Sequence, residues 1–225
     1  MVTVSTRQTF SIELDNLRVK VLNLGALVAD MLSNSVTALA QRDEAKIDAV
    51  LVSEMLADDL DREVEQECMR LLVLQQPLSA DLRAIVGALR MATELERIGD
   101  YSKDIAKVAL RLRDEEFFKP LNDIPRMASL AGEMLRTALR AFADHAPELA
   151  ATIPSKDKVL DVIWHGLRTE LAAFMRKDPG IVNQALEFLL VARYLERVGD
   201  HIVNIAERVY YVETGDALPS VKTAA

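Results

Sequence analysis

Leu95-Glu96-Arg97-Ile98-Gly99-Asp100-Tyr101-Ser102-Lys103-Asp104-Ile105-Ala106 returns further along the chain as Leu195-Glu196-Arg197-Val198-Gly199-Asp200-His201-Ile202-Val203-Asn204-Ile205-Ala206. The copies stand 100 residues apart and share Leu-Glu-Arg, Gly-Asp, an Asp or Asn four residues on, and Ile-Ala. A repeat has to be recognised before any fold is assigned. Leu95, Ile98, Ser102, Ile105, Ala109 and Leu112 follow the i, i+3, i+4 rhythm of an amphipathic helix, as do Leu195, Val198, Ile202, Ile205 and Val209. Glu96, Asp100 and Asp104 form a second stripe rotated away from that apolar one, matched by Glu196, Asp200 and Asn204. These acids are expected to line a surface or groove rather than the dry centre of a bundle.

Two features of the stretch work against helix stability. Like charges at i and i+4 cost roughly 0.2–0.5 kcal/mol. A mid-helix glycine costs about 0.8–1.0 kcal/mol relative to alanine. Both occur in both copies, and departures of this kind concentrate at functional sites. A cation would convert the repulsion into ligation, with Gly99 and Gly199 leaving room beside it. The simpler alternative is a solvated charged face screened by Arg97 and Arg197.

Composition narrows the fold class. Half of the 225 residues are hydrophobic and only 5% aromatic. With 8 glycines and 7 prolines the chain is too poor in turn residues for an all-β fold. The expectation is an all-α protein. The net charge of −8, with no basic stripe or aromatic stacking platform, argues against nucleic acid as a partner. Cys68 is the lone cysteine, so no internal disulfide forms and a reducing compartment is the simplest inference. Met1 to Phe10 holds no long apolar run, which reads as neither signal peptide nor membrane anchor, and the expected location is cytoplasmic.

In chain order, periodicity predicts long helices over about 8–40, 44–75 and 78–113, with Asp43 as an N-cap and Pro77 ending the second. Residues 114–125, with Pro120, Pro125, Asn122 and Asp123, read as a link. Further helices follow over about 124–144, from Pro147 to Lys177 with a restart near Ser155, and over about 180–213, ending near Gly215. Short connections imply antiparallel neighbours. The chain therefore reads as two tandem three-helix bundles, six long helices in all, with bounds at 1–116 and 117–225.

The second helix of each half carries acids too. Glu54 and Asp58 form an i, i+4 pair extended by Asp61 and Glu65; Asp157 and Asp161 are the counterpart pair. An antiparallel neighbour can bring each pair level with the acids of the repeated stretch. An all-oxygen cluster suits iron, manganese, magnesium or calcium, with zinc not excluded. His165 stands near Asp161 but reads as a lone exposed histidine, and His201 as packing or bonding locally. Trp164 and the methionines read as core, Cys68 as a core thiol. No Glu-x-x-His pair, phosphate-binding loop, GxGxxG or Ser-His-Asp arrangement is present.

Gln75-Gln76-Pro77-Leu78-Ser79-Ala80-Asp81-Leu82-Arg83, the two Leu-Glu-Arg-x-Gly-Asp stretches, Asp178-Pro179, Asn204-Ile205-Ala206-Glu207 and Thr214-Gly215 occur in an order that resembles the PhoU phosphate-uptake regulators over residues 8–215. The resemblance implies two similar three-helix bundles, often dimeric, and no enzymatic activity. It implies a role repressing phosphate-starvation responses as an adaptor between the ATPase of a phosphate ABC transporter and a membrane sensor histidine kinase. It also implies metal ions (iron, zinc, manganese or magnesium) on acidic motifs. Carried over, these motifs fall on Glu54 and Asp58 with Glu96, Asp100 and Asp104, and on Asp157 and Asp161 with Glu196 and Asp200. Asn204 in place of an acid puts a full second site in doubt. A metal-dependent enzyme or metal store is the alternative that the same acids motivate.

Overall fold

The computed structural model describes residues 6–219. It is all-α, with six long helices and no strand among the described residues. The first half consists of α1 (Thr6–Gln41), α2 (Glu44–Gln75) and α3 (Ala80–Leu112). The second consists of α4 (Asp123–Ala143), a one-turn α5 (Pro147–Ala150), α6 (Ile153–Lys177) and α7 (Val182–Thr214), the last entered through a 3-10 turn at Pro179–Ile181. Asp43 caps α2 as the sequence predicts, its Oδ1 accepting from the Lys46 amide. Ser79 and Asn122 precede α3 and α4 without a side-chain cap bond. Thr152 ends the interruption, and Pro154 falls in the first turn of α6, where its missing N–H costs nothing.

The halves are not separate beads. α3 packs along α7 and α1 along α4, so these four helices form a central layer, with α2 outside α1 and α3 and α6 outside α4 and α7. The stripe Leu95, Ile98, Ser102, Ile105, Ala109 and Leu112 is fully buried, and so is Leu195, Val198, Ile202, Ile205 and Val209. Both stripes belong to one apolar cluster that runs through both halves. α1 has the length and apolar composition of a membrane span, yet half of that apolar window is buried inside the fold, as in a core helix. Ser102, the one hydroxyl in the first stripe, is satisfied by donating to the Ile98 carbonyl at 2.8 Å. Cys68 is buried, its thiol pushed up to about 12 chiefly by burial, which makes it inert packing.

The connection between the halves is docked. Phe117 and Phe118 pack on Phe188 of α7, at 5.3 and 5.5 Å between ring centroids. Buried Gln184 accepts from the Phe118 amide at 2.9 Å and donates to the Glu116 carbonyl at 3.0 Å and to Glu115 at 2.9 Å. Along the α3–α7 seam, His201 Nδ1 meets Glu94 Oε2 at 2.6 Å and Asn204 donates to the same oxygen at 3.0 Å. The matching pair with the helices exchanged is Tyr101 and Tyr194, whose rings are 5.5 Å apart. His201 thus bonds across the seam rather than within its own helix.

Because the apolar cluster is shared, unfolding is expected as a single cooperative transition. Leu95→Ala should cost about 2–5 kcal/mol and lower the midpoint of that one transition. Differential scanning calorimetry checks this: two resolved transitions, with only one shifted by the substitution, would show independent halves.

Candidate functional site: two acidic faces between paired helices

Each acidic face lies where an outer helix meets the repeated stretch, α2 against α3 and α6 against α7. Acids four residues apart share a helix face, and the antiparallel partner presents its own pair opposite. The faces differ in what neutralises them.

In the first half the Lys103 ammonium stands between the helices. Its Nζ donates to Glu54 Oε1 on α2 at 2.6 Å and to Asp100 Oδ1 on α3 at 2.7 Å. Burial works to lower the lysine's pKa, and the bonds to Asp100 and Glu54 outweigh it, so the net shift is upward. Arg97 lies 3.5 Å from both Glu96 and Asp100 on the outer side. Glu96 is pushed up by burial and by Asp100. Asp61 is pushed up by burial, then by Glu65 and Asp58 on its own helix, and its charge is felt at Glu96. Glu54, Asp58, Glu96 and Asp100 are therefore on one face.

Asp104 is not on that face. It pairs with Lys107 at 3.1 Å, and its charge acts on Tyr194 of α7, so it belongs to the seam between the halves. Four residues advance a helix by 40° beyond a full turn, and after Glu96 and Asp100 that drift carries the next acid round the side. Asn204, the asparagine that replaces an acid here, follows the same drift and bonds across the seam to Glu94.

In the second half the uncharged Val203 occupies the position of Lys103. Asp157 is pushed up to about 7, first by burial and then by Asp161, Asp200 and Glu196. Glu196 is raised by burial and by Asp200, with Asp161 contributing from α6. All four expected residues act on one another. Arg193 pairs with Glu196, and Arg197 reaches Asp200 at 3.1 Å, both from the outer side. Asp157 Oδ1 and Glu196 Oε2 are nonetheless buried without a hydrogen-bond partner. A Cβ at Gly199 would sit 2.5 Å from Asp157 Oδ1, so glycine is what admits this carboxylate to the α6–α7 crossing. Gly99 differs from the expectation: its open side faces Val28 and Met31 of α1 at 3.6 Å, not the acids.

His165 is exposed, and Trp164, 7% exposed, takes the position corresponding to Asp61. Among the described residues no three His, Cys, Asp or Glu side chains are gathered tightly enough to hold a metal ion. The donor set of the second face nevertheless fits a hard cation. It is all-oxygen, two of its buried oxygens lack a hydrogen-bond partner, and Gly199 leaves room beside Asp157. The first face holds an internal cation instead.

The PhoU domain family model matches residues 21–109 and again 124–209, one match per half and each ending within the repeated helix. The chain belongs to the PhoU family. Curated PhoU relatives match at nearly full length. The Clostridium acetobutylicum phosphate-specific transport system accessory protein PhoU homolog is 32% identical over 211 residues, 93% of this chain and 96% of that protein. The Caulobacter vibrioides homolog of the same name is 34% identical over 219 residues, 97% of this chain and 95% of that protein. The crystal structure of PhoU from Pseudomonas aeruginosa has a TM-score of 0.89 at 32% identity, covering 92% of this chain and all of that one. The phosphate transport system regulatory protein PhoU from Streptococcus pneumoniae gives 0.86 at 31% identity, covering 94% of this chain and all of that one. The PhoU helical architecture read from the sequence is thus found in both the chain and its relatives.

Asp157 predicts a pH dependence. Its pKa in the fold lies above the ordinary carboxylate value, so the folded state holds this proton more tightly than the unfolded chain does. The resulting stabilisation is fully present at acid pH and is lost as pH rises from the ordinary carboxylate range through about 7. Asp157→Asn removes that titration. The melting temperature of the wild type minus that of the variant should fall between about pH 5 and about pH 8. A difference that stays flat over this range would mean that Asp157 is not held in a proton-retaining environment.

Proposed function

We propose that this chain is a non-enzymatic accessory protein of a phosphate-specific transport system that holds phosphate uptake and the phosphate-starvation response in check. The carrying observation is the near-full-length match to proteins named for that accessory role, with the duplicated domain intact in both halves. Their names describe accessory or regulatory proteins, which favours an adaptor over an enzyme. In this reading the chain acts in the cytoplasm, as a homodimer, between the ATPase of a phosphate ABC transporter and a phosphate-sensing histidine kinase. Broad helical faces suit such a role, since an adaptor works through surfaces and needs no enclosed reaction chamber.

The same proposal assigns hard or borderline cations to the acidic faces. Asp157, Asp161, Glu196 and Asp200 would hold them in the second half, and the motif residues Glu54, Asp58, Glu96 and Asp100 stand in the corresponding place in the first. Asp104, the remaining acid of the first-half motif, pairs with Lys107 at 3.1 Å and acts on Tyr194, which favours the four-residue set. Bound cations would supply charge neutralisation and cross-link an outer helix to the central layer. They would be structural or regulatory, with no chemical step assigned to them.

Deleting the gene in its host should raise alkaline phosphatase expression and phosphate uptake in phosphate-rich medium, and the wild-type gene in trans should reverse both. Affinity capture of the tagged chain from the same host should retain the transporter ATPase. Unchanged phosphatase and uptake in the deletion strain would overturn the regulatory reading, whatever the chain binds.

A further inference from the structure

The cation reading above treats the two halves alike, but their structures do not. We infer that Lys103 is a resident counter-ion that closes the first acidic face to divalent cations, so that each chain offers them only the second. The inference rests on the proposed cation binding and narrows it to one half.

The geometry carries it. An ion bridging α2 and α3 would have to bind oxygens from both helices, and Lys103 already does so, at 2.6 Å to Glu54 and 2.7 Å to Asp100. Its side chain is only 20% exposed, so stem and head fill the space between the helices rather than lying over it. An incoming ion would have to break two charge-assisted hydrogen bonds and expel the ammonium while staying surrounded by the same few acids. The lysine is also tethered. Held by its own backbone, it competes at the high effective concentration of an intramolecular ligand, with no loss of translational freedom on binding. Removing one negative charge from the balance of the face weakens any cation that follows, since affinity for hard cations scales with the charge of the ligand set.

The second face shows what the same framework looks like without that lysine. Val203 stands at the matching position and brings no donor. The arginines reach Glu196 and Asp200 from outside, Arg197 standing 3.9 Å from Glu196 Oε2, and the buried Asp157 Oδ1 and Glu196 Oε2 remain without a hydrogen-bond partner. The two halves share Glu-Arg-x-Gly-Asp and an acidic outer helix, so the motif alone does not distinguish them. The residue three positions after the aspartate does.

Manganese binding to the metal-stripped full chain, followed by titration calorimetry and by electron paramagnetic resonance of free Mn2+, tests this. Wild type should bind at the second face alone. Asp157→Asn with Asp200→Asn should weaken that binding by at least about ten-fold, the scale set by loss of ligating or supporting groups. Lys103→Val should add a second class of site that survives Asp157→Asn/Asp200→Asn and disappears when Glu54→Gln is included. Lys103→Met, which keeps the length of the stem, should add it too, and Lys103→Arg, which keeps the charge, should not. Circular dichroism melts establish that each variant is folded. Wild-type manganese that is insensitive to Asp157→Asn/Asp200→Asn but lost on Glu54→Gln would overturn the inference, because the first face would then be open with its lysine in place. So would folded Lys103→Val and Lys103→Met proteins that keep the second-face site and gain none. Absence of manganese binding in every protein would overturn the cation reading itself, leaving the regulatory proposal to its own genetic test.

Discussion

The structure depends on the burial of α3 against α7. Both helices devote their apolar stripe to a common centre, and α1 and α4 close it from the other side. Every other position follows from that commitment. With one face of each repeated helix turned inward, the acids at Glu96, Asp100, Glu196 and Asp200 must emerge on the flank, where α2 and α6 cover them. The dominant gain is hydrophobic, on the order of 1.5–3 kcal/mol for each large aliphatic side chain fully buried. A few tenths of a kcal/mol of carboxylate repulsion per pair is small beside it. The core can therefore hold like charges in an arrangement that they would not adopt by themselves.

How that repulsion is relieved separates the halves. In the first, an amine from the chain itself lies among the acids. In the second, relief comes partly from arginines on the rim and partly from protonation of Asp157, whose pKa of about 7 lets it lose its charge close to neutrality. Gly199 belongs to the same economy of space, since any side chain there would collide with Asp157. A duplicated framework has thus reached two electrostatic solutions with almost the same motif.

Much of this was legible in the sequence. Helical periodicity located all six long helices, and Pro77, Asp43, Pro154 and Gly215 marked boundaries through backbone chemistry that does not depend on tertiary contacts. The four acids of the second face were found because i, i+4 spacing survives translation into three dimensions. Asp104 continues the same spacing, but a further 40° of helix rotation brings it beside Lys107 and toward Tyr194 of α7. Lys103 was in plain view beside Val203, but a lysine on a charged helix gives no sign of the partner it will reach across 49 residues of sequence. Glu94 and His201, separated by 107, were invisible for the same reason: the seam between the halves has no local signature.

That seam has a broader consequence. Glu94 with His201, and Tyr194 with Tyr101, occupy equivalent places with the two helices exchanged, yet one pair is hydrogen-bonded and the other aromatic. Two identical single-repeat subunits meeting about a true dyad would be obliged to make both contacts alike. Fusing the repeats into one polypeptide lifts that obligation, so each side of the dyad is free to mutate alone, and specialisation of one half becomes heritable without loss of the architecture that the two halves share.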